Sequence, residues 1–279
     1  MLTAREIAAQ HGLKRSGGGW SGTCPACGYK DALRLNESRG QPLWWCANGC
    51  DRDALTAAIT GDAAPAPARE PAPAETASGG KAAAMRFLHA CRPAEGTIVV
   101  PYLRSRLLES VPGLLFMEAA RHPSGKRFPC MVAVLVDIEG HRVAVHRTFL
   151  APGGAGKAGV DPPRMTLGPV RGAAVRLHEA TECLVVGEGI ETSLAAAKVL
   201  GMPAWAAVSA GNMADHLALP QDIRDVIVAA DNDPPGLRAA NRAVARWKAE
   251  GRTVRLAVPD RAGADFNNVL RDREAARAG

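Results

Sequence analysis

From residue 177 onward the sequence alternates. Four short apolar runs, at 184–186, 204–208, 226–230 and 253–257, are separated by stretches of helical periodicity at 191–200, 212–219 and 234–250, and a last helical stretch follows at 267–277. Runs this short fit buried strands, and a helix between successive strands makes each connection a crossover. The pattern predicts an α/β fold with a mostly parallel sheet flanked by helices. In open sheets of this kind, ligands bind beyond the carboxyl ends of the strands. The residues at those ends are therefore the first place to look for chemistry.

Two of the ends carry acids. The first run leads into Gly187-Glu188-Gly189 and delivers Glu188. The third leads into Asp231-Asn232-Asp233-Pro234-Pro235-Gly236 and delivers Asp231 and Asp233. Residues i and i+2 of an extended chain point the same way, and like charges so placed repel unless a cation lies between them. A hard divalent ion takes oxygen ligands and keeps waters and phosphates as the others. These three carboxylates thus point to a divalent metal site. Asp233 has a second reading, because Asp is a good N-cap and Pro a good first helical residue. That reading leaves Glu188 and Asp231 unexplained. Asp265, after the last run, adds a fourth acid. Glu191 sits one helical turn beyond Glu188 and either caps the helix or joins the metal.

The N-terminal part has a different character. Thr3 and Glu6 form a capping box for a short helix ending at Gly12, and a flexible Gly-rich stretch is expected at Ser16 to Gly19. Cys24 and Cys27 form a CxxC, Cys46 and Cys50 a CxxxC, with 18 residues between the pairs. Four thiolates on two short turns make a closed tetrahedral zinc site. Residues 32–35 and 42–45 read as two strands between them, which predicts a zinc ribbon. Trp44 and Trp45 are candidates for stacking on bases, although one of them is expected to pack under the ribbon. The Pro/Ala-rich stretch 61–80 predicts a semi-extended linker. The expected division is a ribbon at 1–60, the linker at 61–80, a basic α+β subdomain at 81–176 and the α/β domain at 177–279.

Charge is unevenly spread over the chain. Its formal net charge is +6, yet residues 81–176 hold 14 Lys/Arg against 6 Asp/Glu, while 177–279 hold 12 against 14. A basic segment beside an acidic one suits a polyanion held by one and metal held by the other. In the basic segment a helix is expected at 81–92, and a β-hairpin at 127–137 and 141–150. Arg142, Ala144, His146 and Thr148 share one face of its second strand, and Val143, Val145, Arg147 and Phe149 the other. A Gly-rich segment with Lys157 and Arg164 follows and suits phosphate contact. Arg104, near an expected helix start, Arg127, His146 and Arg147 complete the candidate nucleotide or nucleic-acid contacts. The plainer reading of His146 and Arg147 is a hydrogen-bonded pair on a half-exposed sheet. No apolar run is long enough to span a membrane. The N-terminus lacks the apolar core of a signal peptide, so a cytoplasmic location with reduced thiols is expected.

At this point the residues resemble a known family. VVGEGIETSLA, VAADNDPPGLRAA and GADFNNVL look like the three motifs of the Toprim domain, which is shared by bacterial-type DNA primases, topoisomerases and some nucleases. The hairpin and the Gly-rich segment look like the subdomain that precedes Toprim in phage and plasmid primases, and the cysteines look like the primase zinc-binding domain. The usual primase zinc set has a His at the second position, where this chain has Cys27. The order of parts implies a primase that makes short RNA primers on single-stranded DNA by metal-dependent nucleotidyl transfer from NTPs. The resemblance implies that Glu188 serves the metal site or proton transfer, that Asp231 and Asp233 hold Mg²⁺ or Mn²⁺, and that Asp265 is the later acidic position. It also places Arg147, Lys157 and Arg164 near template or nucleotide, and gives the zinc a structural role. No helicase domain follows Asp265's helix, so a separately encoded replicative helicase is the expected partner. A Toprim nuclease and a non-catalytic single-strand-binding module are the alternatives.

Overall fold

The computed structural model describes residues 3–16, 18–26, 28–38, 40–46, 50, 52–61 and 75–278. The chain forms two compact units, Met1–Ala72 and Pro73–Gly279. The division falls in the Pro/Ala-rich stretch, of which 62–74 lies outside the described residues.

The first unit opens with α1 (Ala4–Gln10), capped reciprocally by Thr3 and Glu6 as expected. Four strands follow, β1 (Lys14–Ser16), β2 (Gly19–Gly22), β3 (Leu33–Ser38) and β4 (Gln41–Cys46), antiparallel in that order, and α2 (Arg52–Thr60) closes the unit. Ile7, Leu33, Leu35, Leu55 and Ile59 form its core. Of the stretch expected to be flexible at Ser16 to Gly19, Ser16 and Gly19 are instead paired between β1 and β2, and Gly17 lies outside the described residues. Trp44 is half-buried and donates from Nε1 to Thr56 Oγ1 at 3.3 Å. Trp45 faces out beside Leu43.

The second unit is built on one continuous sheet of ten strands. Its C-terminal part is the expected parallel set: β14 (Thr253–Ala257), β13 (Asp225–Ala229), β11 (Cys183–Gly187) and β12 (Ala204–Ala206), in that spatial order. Its antiparallel part is β5 (Arg92–Pro93), β6 (Leu114–Arg121), β7 (Arg127–Val136), β8 (Arg142–Phe149) and β9 (Arg164–Leu167). The short strand β10 (Ala174–Arg176) joins the two, antiparallel to both β12 and β7. The expected division at 176/177 therefore lies inside one compact unit. Its main core runs across that point, from Tyr102, Met131 and Leu135 to Val185, Ile227 and Phe266.

Helices cover both faces. Ile227 and Ala229 face α5 (Ile190–Leu200) and α7 (Phe266–Ala278), and their neighbours Val226 and Val228 alternate to the other side, where α6 (Pro234–Ala249) packs with Trp247 fully buried. On the antiparallel part, α3 (Glu75–His89) covers the face of Val132, Val145 and Phe149, while α4 (Val99–Arg104) covers the face of Met131 and Ala133. No helix among the described residues is long and apolar enough to cross a membrane.

Several elements differ from expectation. Helix α3 begins at Glu75, inside the stretch assigned to the linker, and stops at His89. Arg104 ends α4 rather than starting a helix. The helix expected at 212–219 is only one wide turn of π-helix, Asn212–His216. Asn212 causes this from inside: its Nδ2 donates to the Ala173 and Ala207 carbonyls at 2.8 and 2.9 Å, and its Oδ1 accepts from Gly172 N at 3.0 Å. The carbonyls of Leu217, Leu219 and Pro220 are then taken by Arg246 and Arg252 instead of by helical N–H groups.

Candidate catalytic site and cysteine centre

Strands β11 and β13 are adjacent and parallel, with Gly187 opposite Ala229. Glu188 and Asp231 therefore leave the same end of the sheet. Gly187 packs closely on α5 there: a Cβ would lie 2.6 Å from Ser193 Oγ, which would have to shift. Asp233 caps α6, accepting from Gly236 N at 2.7 Å, so its structural reading holds. Its neighbour Asn232 knits two loops together. Asn232 N donates to Ala264 O at 2.9 Å, its Nδ2 donates to Pro259 O at 2.7 Å, and its carbonyl accepts from Gly263 N at 2.7 Å. Asp265 is thereby brought beside Asp231, and its Oδ1 accepts from Asn268 N at 2.9 Å.

The acids feel one another. Burial pushes the Asp231 carboxyl up to about 7, and the charges of Glu188, Asp265 and Asp233 add to that rise. Thr192 Oγ1 is its neutral neighbour, 3.4 Å from Asp231 Oδ1. The carboxylates surround a space rather than meeting at a point. Among the described residues, only Cys24/Cys46/Cys50 and Asp137/Glu139/His141 bring three ligand atoms within 4.8 Å of one another. An open set of acids, with the Asp231 carboxyl raised by burial and then by its neighbours' charge, fits a magnesium-type ion that keeps waters and substrate phosphate as most of its ligands.

Glu191 belongs to a different group. It is buried at the start of α5, where its Oε1 accepts from Tyr102 OH at 2.5 Å and pairs with Lys157 Nζ at 3.1 Å. Burial alone would raise its pKa. The charges of Lys157 and Arg164 and the Tyr102 hydrogen bond outweigh that and hold it below the usual carboxylate range. Arg106 lies over the Tyr102 ring, 4.8 Å from its centre, and senses both Glu191 and Asp265. His146 is buried beside this group, with Nδ1 3.1 Å from Thr166 Oγ1. Burial and then the Arg164 charge push it down to about 4, so it is neutral near pH 7.

Lys157 and Arg164, two of the expected phosphate contacts, are thus brought to Glu191 at the start of α5. The segment carrying Lys157 is a fixed turn rather than a loose loop. Ala151 N donates to Gly156 O at 2.9 Å, and Leu150 bridges to Lys157. Gly154, at φ +75°, sits so close to α4 that a Cβ would run into the Ile98 carbonyl and lie 3.1 Å from Tyr102 N. Gly154→Ala should therefore cost about 1–3 kcal/mol. Thermal unfolding of the second unit would read this as a lowered midpoint.

Other expected contacts are not brought there. Arg147 points to the α3 side, 5.6 Å from the Phe87 ring centre and 5.7 Å from that of Phe149. Alternation in β8 puts it opposite His146, and the aromatic rings hold it there. The two residues are therefore not a hydrogen-bonded pair, and the strand is buried on both faces. Arg127 donates to Ala119 O at 3.0 Å, across the β6–β7 hairpin. Arg104 is exposed and lines a surface cleft with Glu95, Glu109 and Lys198. The sequence reading missed Tyr102, Thr192 and Asn232. Asn232 had a local signal, lying between two acids on a turn. Tyr102 had none, because only the tertiary fold brings α4 to α5.

In the first unit, Cys24, Cys46 and Cys50 converge, with Cys24 Sγ 3.8 Å from Cys50 Sγ. Four sulfurs bound at about 2.3 Å to one zinc stand about 3.8 Å apart, whereas a disulfide holds its sulfurs at about 2.05 Å. The three thiols fit a zinc site. Cys27, the expected fourth ligand, lies outside the described residues.

A family model described as a Toprim domain matches residues 183–276, and one described as a domain of unknown function (DUF7146) matches 78–177. Residues 183–276 are thus a Toprim domain, and they contain all four acids. No curated protein matches the chain. Among solved structures, the chain is similar to a DNA primase domain from Pseudomonas aeruginosa, at 18% identity over 72% of this chain and 77% of that one, TM-score 0.44. It is also similar to the primase fragment of the bacteriophage T7 primase-helicase protein, at 15% identity over 92% and 97%, TM-score 0.45. A third is the Aquifex aeolicus primase (zinc-binding and RNA polymerase domains), at 12% identity over 99% and 82%, TM-score 0.46.

Proposed function

We propose that this chain is a DNA primase that joins ribonucleotides on a single-stranded DNA template. The observation that carries the reading is the placement, within a Toprim domain, of four acids at one end of the sheet beside the cations Lys157, Arg164 and Arg106. Nucleotidyl transfer needs both: acids for metal, and cations for the charge of a triphosphate.

Glu188, Asp231 and Asp233 would hold Mg²⁺ or Mn²⁺. When bound, the metal supplies charge stabilisation for the attacking hydroxyl and the departing pyrophosphate. Asp265 keeps Asp231 in a strongly negative field, which favours cation uptake. Glu188 is half-exposed at the strand end, where it could accept the proton of the attacking hydroxyl. Lys157 and Arg164 would orient the triphosphate. His146, neutral and buried, supports the strand rather than transferring a proton. A zinc-loaded first unit, with Trp45 on its exposed face, would contact the template.

The test is a priming assay with full-length protein, single-stranded DNA, Mg²⁺ or Mn²⁺ and labelled NTPs. Short ribonucleotide products are expected from the wild type and none from Asp231→Ala/Asp233→Ala. Cleaved DNA in place of product would identify a nuclease. DNA binding without product, on varied templates and with both metals, would leave a binding module.

A further inference from the structure

We infer that Glu191 is a positioning residue, not a metal ligand: with Tyr102 it fixes the Lys157 ammonium as an oriented donor for substrate phosphate. The inference rests on the nucleotidyl-transfer reading and deepens it. Glu191 lies three residues past Glu188, close enough to be taken for part of the metal set. Its bonds point elsewhere. Oε1 accepts from Tyr102 OH at 2.5 Å and meets Lys157 Nζ at 3.1 Å, so the oxygen is committed to two donors from two other elements.

One buried carboxylate, Glu191, holds the Lys157 head within the field of Arg164 and Arg106. The group is also open on one side, since Arg164 is exposed and the Lys157 side chain is 28% exposed. An ammonium has three donors, and only one is spent on Glu191.

The neighbouring backbone suits the same ligand. Helix α5 begins at Ile190 behind the N-cap Gly189, which offers no side-chain cap, so the positive end of the helix faces the same side. Arg164 Nη1 lies beside this N-cap, 3.4 Å from where a Cβ of Gly189 would stand. A lysine on a flexible stem is normally a poor positional device. Here the rigid turn around Gly154 places its backbone, and Glu191 and Tyr102 set the position of its head.

The test is the affinity of the full-length protein for the magnesium complex of inorganic triphosphate, measured by calorimetry for wild type, Glu191→Gln, Lys157→Met, Tyr102→Phe and the Glu191→Gln/Lys157→Met pair. Lys157→Met should weaken binding about 10- to 100-fold, and Glu191→Gln about 5- to 30-fold. The double variant should be no weaker than Lys157→Met, because the two act as one unit. Tyr102→Phe should give a smaller loss, and Glu191→Asp should restore part of the affinity lost in Glu191→Gln. Mg²⁺ binding without triphosphate should not change in Glu191→Gln. Charge alone predicts the opposite sign, since removing a carboxylate should tighten phosphate binding. Tighter or unchanged binding in Glu191→Gln, additive losses in the double variant, weakened Mg²⁺ binding, or a wild type that binds no triphosphate would each overturn the inference. The two readings fail separately. Absent primer synthesis with the expected affinity pattern removes the primase reading alone, and normal primer synthesis with affinity unmoved in Glu191→Gln removes this one alone.

Discussion

Asp231→Asn should stabilise the metal-free protein at pH 8 and abolish the primer synthesis proposed for it. Both effects come from the burial and crowding of one acid. Burial, then Glu188, Asp265 and Asp233, raise the Asp231 carboxyl to about 7. An unfolded aspartate titrates near 3.9. Between about pH 4 and 7 the folded state therefore holds a proton that the unfolded state has released, and stability falls as pH rises through that window. By pH 8 the whole loss is present, on the order of a few kcal/mol. Asparagine carries no charge at any of these pH values, yet it keeps an acceptor for Thr192 Oγ1. The variant's unfolding midpoint should lie above that of the wild type at pH 8 without metal, and should depend less on pH from 4 to 8. Added Mg²⁺ should raise the wild-type midpoint by binding the folded state and should raise the variant's much less. Loss of one metal-holding carboxylate is expected to remove about 4 kcal/mol of transition-state stabilisation, close to a thousandfold in rate. A variant less stable than wild type at pH 8 without metal would mean that the acids do not repel. Primer synthesis within tenfold of wild type would take Asp231 out of the metal site.

The difference between what local sequence showed and what it hid follows from the range of the forces involved. The parallel strands were legible because their apolar runs are flanked by helical periods, and β14 has the bounds expected of it. The capping box at Thr3 and Glu6 and the turn at Asp233 were legible because their partners lie three residues away. The strand β6 was hidden. Its sequence, LLFMEAAR, has weak strand propensity, and pairing with β7 decides its state. The wide turn at Asn212 was hidden because a buried amide, satisfied by Gly172, Ala173 and Ala207, overrides a helical pattern. The acids of the candidate site were readable as strand-end residues. Their cationic counterpart was only half readable. Lys157 and Arg164 stood out in a Gly-rich segment, but the carboxylate and phenol that organise them come from α5 and α4, 34 and 55 residues away in sequence from Lys157.

If Cys24, Cys46 and Cys50 hold the proposed zinc, stripping it should unfold the first unit and leave the second folded. The described core of the first unit is a cluster of ten buried residues, and Cys24 and Cys46 are two of them. A unit of this size buries too little apolar surface to be stable by a wide margin. Structural zinc contributes about 10–16 kcal/mol of binding energy to the folded state, more than such a core supplies by itself. The thiols also sit where the elements meet. Cys46 ends β4 opposite Leu33, and Cys24 N donates to Tyr29 O at 3.0 Å across the turn that leads back to β3. The second unit has its own sheet and core and holds none of these cysteines. Hydrogen exchange on the full chain, with and without a strong chelator, separates the outcomes. Amides of β3 and β4 should lose protection by several orders of magnitude, while those of β11 and β13 keep theirs. Cys46→Ser should reproduce the pattern without chelator, and elemental analysis should find about one zinc per chain in the wild type only. Full protection of β3 and β4 in metal-stripped protein would mean that packing alone holds the ribbon, and the cysteines would then need another explanation.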